Sequence, residues 1–287
     1  MNILKRANRK VRYLWNQLKS TVFGFFFRYR YKEIKSFLVF VGYPRSGHTL
    51  IAALLDAHPN IVMSIEWAAL SHLKMGYRKN AILYSIEKYS KLFTVKHDNI
   101  WTNYSYKVKN QSQGKSDRIQ IIGDKLGGKT SKILMNSPDL LDKLKTELGI
   151  DIKIIHVVRN PFDTISTMAK RSLEENTSTS KEPDLQGFSS RYFQRTEVVE
   201  RLKKEAKYTM YDLYHEEFID NPQHELKKLL VYLDLTWDEE YLLSCSKIVY
   251  KSPHKSRNHY AWPKELKKET QNRINQIQFL SRYKFDK

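Results

Sequence analysis

Phe37-Leu-Val-Phe-Val41 runs directly into Gly42-Tyr-Pro-Arg-Ser-Gly-His-Thr49, and the reading of this stretch decides the fold. The first five residues are apolar, β-branched and aromatic, the composition of a strand buried on both faces. Leu50, Ile51, Leu54 and Leu55 then recur at helical spacing until His58-Pro59 stops the pattern. A strand, a glycine-bearing loop and a helix in that order aim backbone amides at one point. Such a nest suits a phosphate, and Ser46 and Thr49 add hydroxyl donors. Gly42-x-x-x-x-Gly47-His48-Thr49 has the spacing of a phosphate-binding P-loop, but His48 stands where a nucleotide triphosphatase needs lysine. The loop's cation is Arg45, at its middle, and no apolar strand is seen to end in the Asp that would hold magnesium. The loop is therefore read as a phosphate cradle rather than a magnesium-triphosphate site.

Outward from this loop, Ile119–Ile122 and Ile152–Val158 read as two more buried strands, each feeding a loop and a helix, over about 130–147 and 161–172. A further strand is expected near Lys207–Tyr214, and an amphipathic helix over Pro222–Leu233. Strands alternating with helices predict an α/β domain of three layers around a parallel sheet. Residues 173–190 read as a polar surface loop. Arg159 follows the apolar strand at its carboxyl end, the edge where open α/β sheets bind ligands, and Pro161 suits the first turn of the next helix. A guanidinium fork there, with Ser166 and Thr167 beyond it, makes a second phosphate cradle. Two cradles on one sheet edge imply a nucleoside with phosphates at both ends.

These residues resemble a known family. Tyr43-Pro-Arg-Ser-Gly-His-Thr-Leu50 is similar to the 5′-phosphosulfate loop of sulfotransferases that use PAPS, 3′-phosphoadenosine 5′-phosphosulfate. The continuation Leu55-Asp-Ala-His-Pro59 resembles most the tyrosylprotein-type and related bacterial enzymes. Ile154-Ile-His-Val-Val-Arg159-Asn-Pro161 through Thr167 resembles the family's 3′-phosphate motif, and His215-Glu-Glu-Phe218 on to Pro222 its third tract, which usually begins with Tyr. The resemblance implies a P-loop-containing nucleotide hydrolase-like topology, PAPS as donor with PAP as product, and no metal. It places Arg45, Ser46, Gly47, His48 and Thr49 at the 5′ end. Arg159, Ser166, Thr167, Arg171, Lys255 and Arg257 fall at the 3′ end, with Ser256 between the last two.

Sulfonate transfer builds negative charge on the departing phosphate, so preorganised cations are needed there. Arg45 and Lys125 are the candidates, with Lys129 a rival to Lys125. The acceptor hydroxyl or amine needs a base. Glu66, twenty-one residues after Arg45, has the spacing of the catalytic Glu in the tyrosylprotein-type enzymes; His48, His58 and His72 are the alternatives. The competing function is a P-loop kinase or hydrolase with a degenerate lysine position.

Charge bounds the partners. The chain of 287 residues carries fifty Lys/Arg against thirty-one Asp/Glu, which suits an acidic acceptor such as a glycan or peptide. Residues 1–36 hold ten of those cations and one acid. Val11, Leu14, Trp15, Leu18 and Val22 recur there at helical spacing, and Phe23, Phe25, Phe26 and Phe27 follow. This basic amphipathic segment fits two readings: peripheral membrane contact through residues 1–31, or a helix packed on the domain with an ordinary solvated face. It is read as an extension over 1–35 preceding a sulfotransferase domain over 36–287. No nucleic-acid motif appears. A single cysteine, Cys245, excludes a disulfide scaffold and points to a reducing, cytoplasmic setting.

Overall fold

The structure is a computed structural model that describes residues 2–96, 98–101, 104–175 and 183–286, with 2–10, 101 and 175 as backbone alone. Helix α1 (Asn2–Phe26) and a 3-10 turn (Arg28–Tyr31) lead to β1 (Ser36–Gly42) and α2 (His48–Asp56). Then come β2 (Ile61–Ile65), α3 (Ala69–Lys74), α4 (Lys79–Lys96) and a short antiparallel pair, β3 (Ile100–Trp101) with β4 (Tyr104–Ser105). The chain continues through β5 (Ile121–Lys125), α5 (Gly128–Asn136), α6 (Leu140–Leu148), β6 (Asp151–Val158) and α7 (Pro161–Glu175). It ends with α8 (Leu185–Glu205), β7 (Thr209–Tyr214), α9 (His215–Asp220), α10 (Pro222–Tyr232), α11 (Glu239–Ser246), a 3-10 turn (Ser256–His259) and α12 (Lys264–Gln276).

Five strands form a parallel sheet flanked by helices, in the order β2-β5-β1-β6-β7, so the expected α/β architecture is the one adopted. Register runs from Ser36 opposite Ile121 to Val39 opposite Asp124 between β1 and β5, and from Ile61–Ile121 to Ile65–Lys125 between β2 and β5. All seven residues of β1 are buried, as its uninterrupted apolar run requires of a central strand. Chain order departs from β1 in both directions, which makes its carboxyl end a topological switch point.

The chain divides into two compact units. The first comprises Met1–Val39, Ile51–Leu126 and Ser137–Lys153. Within it α1 lies on α4: Ser85 Oγ donates to Ser20 Oγ at 3.0 Å, and a Cβ on Gly24 would come within 2.3 Å of the Asn80 carbonyl oxygen. Behind α1, Glu87 accepts from Arg30 at 3.0 Å, Tyr31 at 2.9 Å and Lys91 at 2.7 Å, a buried carboxylate with two cations on it. The buried Asp56 receives the Met63 amide at 2.7 Å, the Ser90 hydroxyl at 2.8 Å and the Gly114 amide at 3.0 Å, and burial pushes its carboxyl up to about 6.

The second unit comprises Phe40–Leu50, Gly127–Asn136 and Ile154–Lys287. Two expectations are corrected here and in the first unit. The single helix over 130–147 is two, α5 and α6, because Pro138 disfavours helical backbone at Ser137 and lacks an amide for the ladder. The loop expected over 173–190 is shorter. Helix α7 runs on to Glu175, and α8 starts at Leu185 under an Asp184 cap that accepts from the Gly187 amide at 2.8 Å. Residues 176–182 lie outside the described ones.

Gly123 of β5 tests the sheet packing. A Cβ there would fall 2.4 Å from the Leu38 carbonyl oxygen and 2.8 Å from Met63 Cε. Gly123→Ala is expected to lower stability by about 1–3 kcal/mol, read as a reduced midpoint of thermal unfolding; an unchanged midpoint would contradict this packing.

Candidate active site

In the second unit, the loop after β1 turns through left-handed backbone at Gly42 (φ 120°), Arg45 (φ 68°) and Gly47 (φ 91°). Arginine is held there against its preference, so the turn is braced by its surroundings. Tyr43 anchors the loop: it is fully buried, stacks on Tyr192 at 3.9 Å and accepts from Thr196 Oγ1 at 3.2 Å. Ser131 of α5 bonds both the amide and the carbonyl of Gly42 at 2.9 Å, and Gly128 packs on Pro44 so closely that a Cβ would sit 2.2 Å from Pro44 Cδ.

The His48 ring turns back into the fold. Its Nε2 meets the Val41 carbonyl at 3.0 Å, which assigns the proton to that nitrogen, and Gly127 packs against the ring. The imidazole is thus an anchor for the loop and not an anion donor; what His48 offers a phosphate is its backbone amide in the open first turn of α2. Ser46 Oγ is sealed from solvent and has no hydrogen-bond partner. An orphaned hydroxyl inside a ring of left-handed turns fits an anion.

The histidine that replaces the third tract's usual Tyr was not expected at this loop. His215 lies against Gly47, where a Cβ would come 2.6 Å from its Cδ2, and its Nδ1 is sealed without a partner. Burial, Arg159, His254 and His48 together hold the ring's pKa down to about 3, so it is neutral. The Tyr-to-His departure therefore puts a second unsatisfied polar atom at the loop, after the Ser46 hydroxyl.

Arg159 follows β6 as expected, but its cradle is not separate from the loop. Its guanidinium donates to the Arg45 carbonyl at 2.8 Å and to the His254 carbonyl at 2.8 Å, with Nε left unpartnered. Burial lowers its pKa, and the carboxylates of Asp163 and Glu216 offset part of that. The two hydroxyls of α7 have different environments. Ser166 is buried and accepts from Trp262 Nε1 at 3.1 Å; the more accessible Thr167 donates to the Asp163 carbonyl at 2.7 Å and contacts Ser256 Oγ at 3.0 Å.

Arg257 is buried and committed to Asp163, through its guanidinium at 2.5 Å and its amide at 2.9 Å. That pair fixes the Ser256–His259 turn on α7. Among the described residues Arg171 pairs with Glu174 at 2.9 Å on its own helix, and Lys255 is exposed between His254 and Ser256.

In the first unit, Lys125 Nζ and Glu66 Oε1 form an ion pair at 3.2 Å, with the lysine side chain 4% and the glutamate 27% exposed. Lys129, the rival, is exposed. Glu66 (φ 59°) and Ala68 (φ 70°) both adopt left-handed backbone. Asp124 holds them there by accepting from Ser64 Oγ at 2.7 Å and from the Trp67 and Ala69 amides at 3.1 and 2.9 Å. Asp124 is the penultimate residue of β5, and its oxygens are committed to this turn.

The alternative bases have structural duties. His58 Nδ1 accepts from the Asn60 amide at 3.1 Å. His72 stacks on Trp67 at 4.1 Å with Nδ1 at 3.1 Å from the Ala68 carbonyl, and burial lowers its pKa. Trp67, His72 and Tyr77 form an aromatic wall in the segment that follows Glu66.

A phosphate-type loop at the switch point of a parallel sheet, flanked by an arginine after the neighbouring strand, defines an α/β protein of P-loop architecture. The chain belongs to the sulfotransferase family, whose profile matches residues 38–239. Its fold is shared with the sulfotransferase domain from the curacin biosynthetic pathway, at TM-score 0.54 and 13% identity over 86% of this chain and 98% of that one. The sulfotransferase domain from the Synechococcus PCC 7002 olefin synthase aligns at TM-score 0.51 and 18% identity over 87% and 94% of the two chains. No curated protein matches the sequence.

The neutral His215 gives a pH test. In the unfolded chain it takes a proton near pH 6.5, in the fold only near 3, so the unfolded state binds more protons between those values. Stability is therefore lost as pH falls through this window, by at most about 1.4 kcal/mol per pH unit from this group. Denaturant unfolding of wild type and His215→Gln at pH 7, 6 and 5 is expected to show a shallower loss in the variant. Parallel losses would place His215 elsewhere.

Proposed function

We propose that this chain moves a sulfonate group from PAPS to a hydroxyl or amine of its acceptor and releases PAP. The observation that carries the reading is the braced loop, where the sealed Ser46 hydroxyl lacks a partner and the Arg159 guanidinium donates to the Arg45 carbonyl. When bound, PAPS supplies an activated sulfonate, whose bond to the phosphate oxygen breaks as the bond to the acceptor forms.

The chain's own residues divide the work. The first-turn amides of α2, Ser46, Thr49 and the Arg45 side chain hold the 5′ end of the nucleotide and receive the charge that develops there. Arg159, through its unpartnered Nε, and the accessible Thr167 and Ser256 hydroxyls hold the 3′-phosphate. Ser166 and Arg257 position that group, Ser166 held by Trp262 and Arg257 by its pair with Asp163. Glu66 takes the acceptor's proton, and Lys125 orients its carboxylate.

A kinase or hydrolase reading has less support. The position of the P-loop lysine holds an imidazole turned onto the Val41 carbonyl, and Asp124 is committed to the Glu66 turn.

Assays with labelled PAPS and an acceptor panel test the assignment. Arg45→Ala is expected to lose both PAP binding and transfer. Glu66→Gln should lower kcat by about 10²–10⁴-fold, the usual contribution of a general base, while PAP binding stays unchanged. Full turnover by Glu66→Gln would remove the base assignment, and full PAP affinity in Arg45→Ala would remove the nucleotide site.

A further inference from the structure

We propose that α1 is a membrane-docking helix that lays its exposed apolar stripe into the interface of an anionic lipid bilayer. The orientation of the helix is the starting observation. Tyr13, Gln17, Ser20 and Gly24, spaced four, three and four apart, form the face that meets the protein. Tyr13 lies 5.6 Å from the Tyr77 ring, Ser20 bonds Ser85, Gly24 presses on the Asn80 carbonyl, and Gln17 reaches the position a Cβ on Gly76 would occupy, at 3.6 Å.

At 100° per residue, Val11, Leu14, Trp15, Leu18, Val22 and Phe26 occupy the opposite face. All six are exposed, Val11 at 66%, Trp15 at 55% and Phe26 at 69%. A helix recruited to cover a protein core buries its apolar stripe; this one buries small and polar residues and presents the apolar ones. Gly24 and Ser20 allow the close approach that locks this rotation.

Charge selects the occupant. Helix α1 carries six Lys/Arg and no acid. Cations sit on the aromatic groups of the same stretch: Lys19 Nζ is 4.9 Å from the Trp15 ring centre, the Arg28 guanidinium 4.0 Å from Phe25, and Lys32 Nζ 4.5 Å from Tyr29. Ammonium and guanidinium groups above rings that carry an apolar body match the boundary between phosphate headgroups and acyl chains. A second copy of the chain would instead bring a like-charged helix against this one. No helix among the described residues is long and apolar enough to cross a membrane, so the contact lies in the membrane plane. The inference stands apart from the sulfonate-transfer reading, since it uses no residue of that site.

Sedimentation of the full chain with phosphatidylcholine vesicles, with and without phosphatidylserine, tests it. The expected result is pelleting with the anionic vesicles, weakened by added salt, and reduced about tenfold or more in Trp15→Ser/Leu18→Ser. The thermal midpoint and PAP affinity of that variant should match wild type, because the removed side chains face solvent. Absence of pelleting with both vesicle types overturns the proposal, as does pelleting that the double substitution leaves intact. Self-association by light scattering that the same substitutions abolish, without vesicle binding, would assign the stripe to contacts between copies and also overturn it.

Discussion

The candidate nucleotide site depends on one partly buried hydrogen bond, from the Arg159 guanidinium to the Arg45 carbonyl. Arg45 has to hold left-handed backbone for the loop to turn its amides inward, and nothing in an arginine side chain favours that conformation. A fixed cation on the outer edge of the turn compensates. Burying that guanidinium is costly, as its lowered pKa shows, and the carboxylates of Asp163 and Glu216 offset the cost without contacting it directly. The same group thus braces the loop and leaves its Nε without a partner.

Each unit uses a buried aspartate to hold an irregular backbone. Asp163 gathers the Arg257 guanidinium and amide and so fastens the Ser256–His259 turn to α7 beside Thr167. Asp124 gathers one hydroxyl and two amides and so fixes the left-handed residues on either side of Trp67. In both, burial raises the carboxyl's pKa while the donors aimed at it act in the opposite direction. Positioning is delegated to groups that need not touch the reacting atoms, which leaves the cations and hydroxyls around them for ligand.

Much of this was legible in the sequence because it is local. The apolar run into Gly42–Thr49 specifies strand, loop and helix; Arg159-Asn-Pro161 marks a strand end and a helix start; and Glu66 and Lys125 fall where β2 and β5 end side by side, which their register brings about. What could not be read depends on contacts between residues far apart in the chain. His215 meets Gly47, Trp262 takes the Ser166 hydroxyl, and Arg257 is claimed by Asp163. Composition marked α1 as amphipathic but not which face would pack, because Ser20 and Gly24 reveal their purpose only against Asn80 and Ser85. His48 occupied the right register for a phosphate ligand, and the Val41 carbonyl redirected it.

The claim on which the functional account rests is that the loop and Arg159 grip a nucleoside bisphosphate without a metal. Isothermal titration of the full chain with PAP and with ATP, each with and without magnesium, measures this directly. The account predicts tight PAP binding that magnesium leaves unchanged, and weak binding of ATP. Magnesium-dependent ATP binding tighter than that of PAP would contradict it.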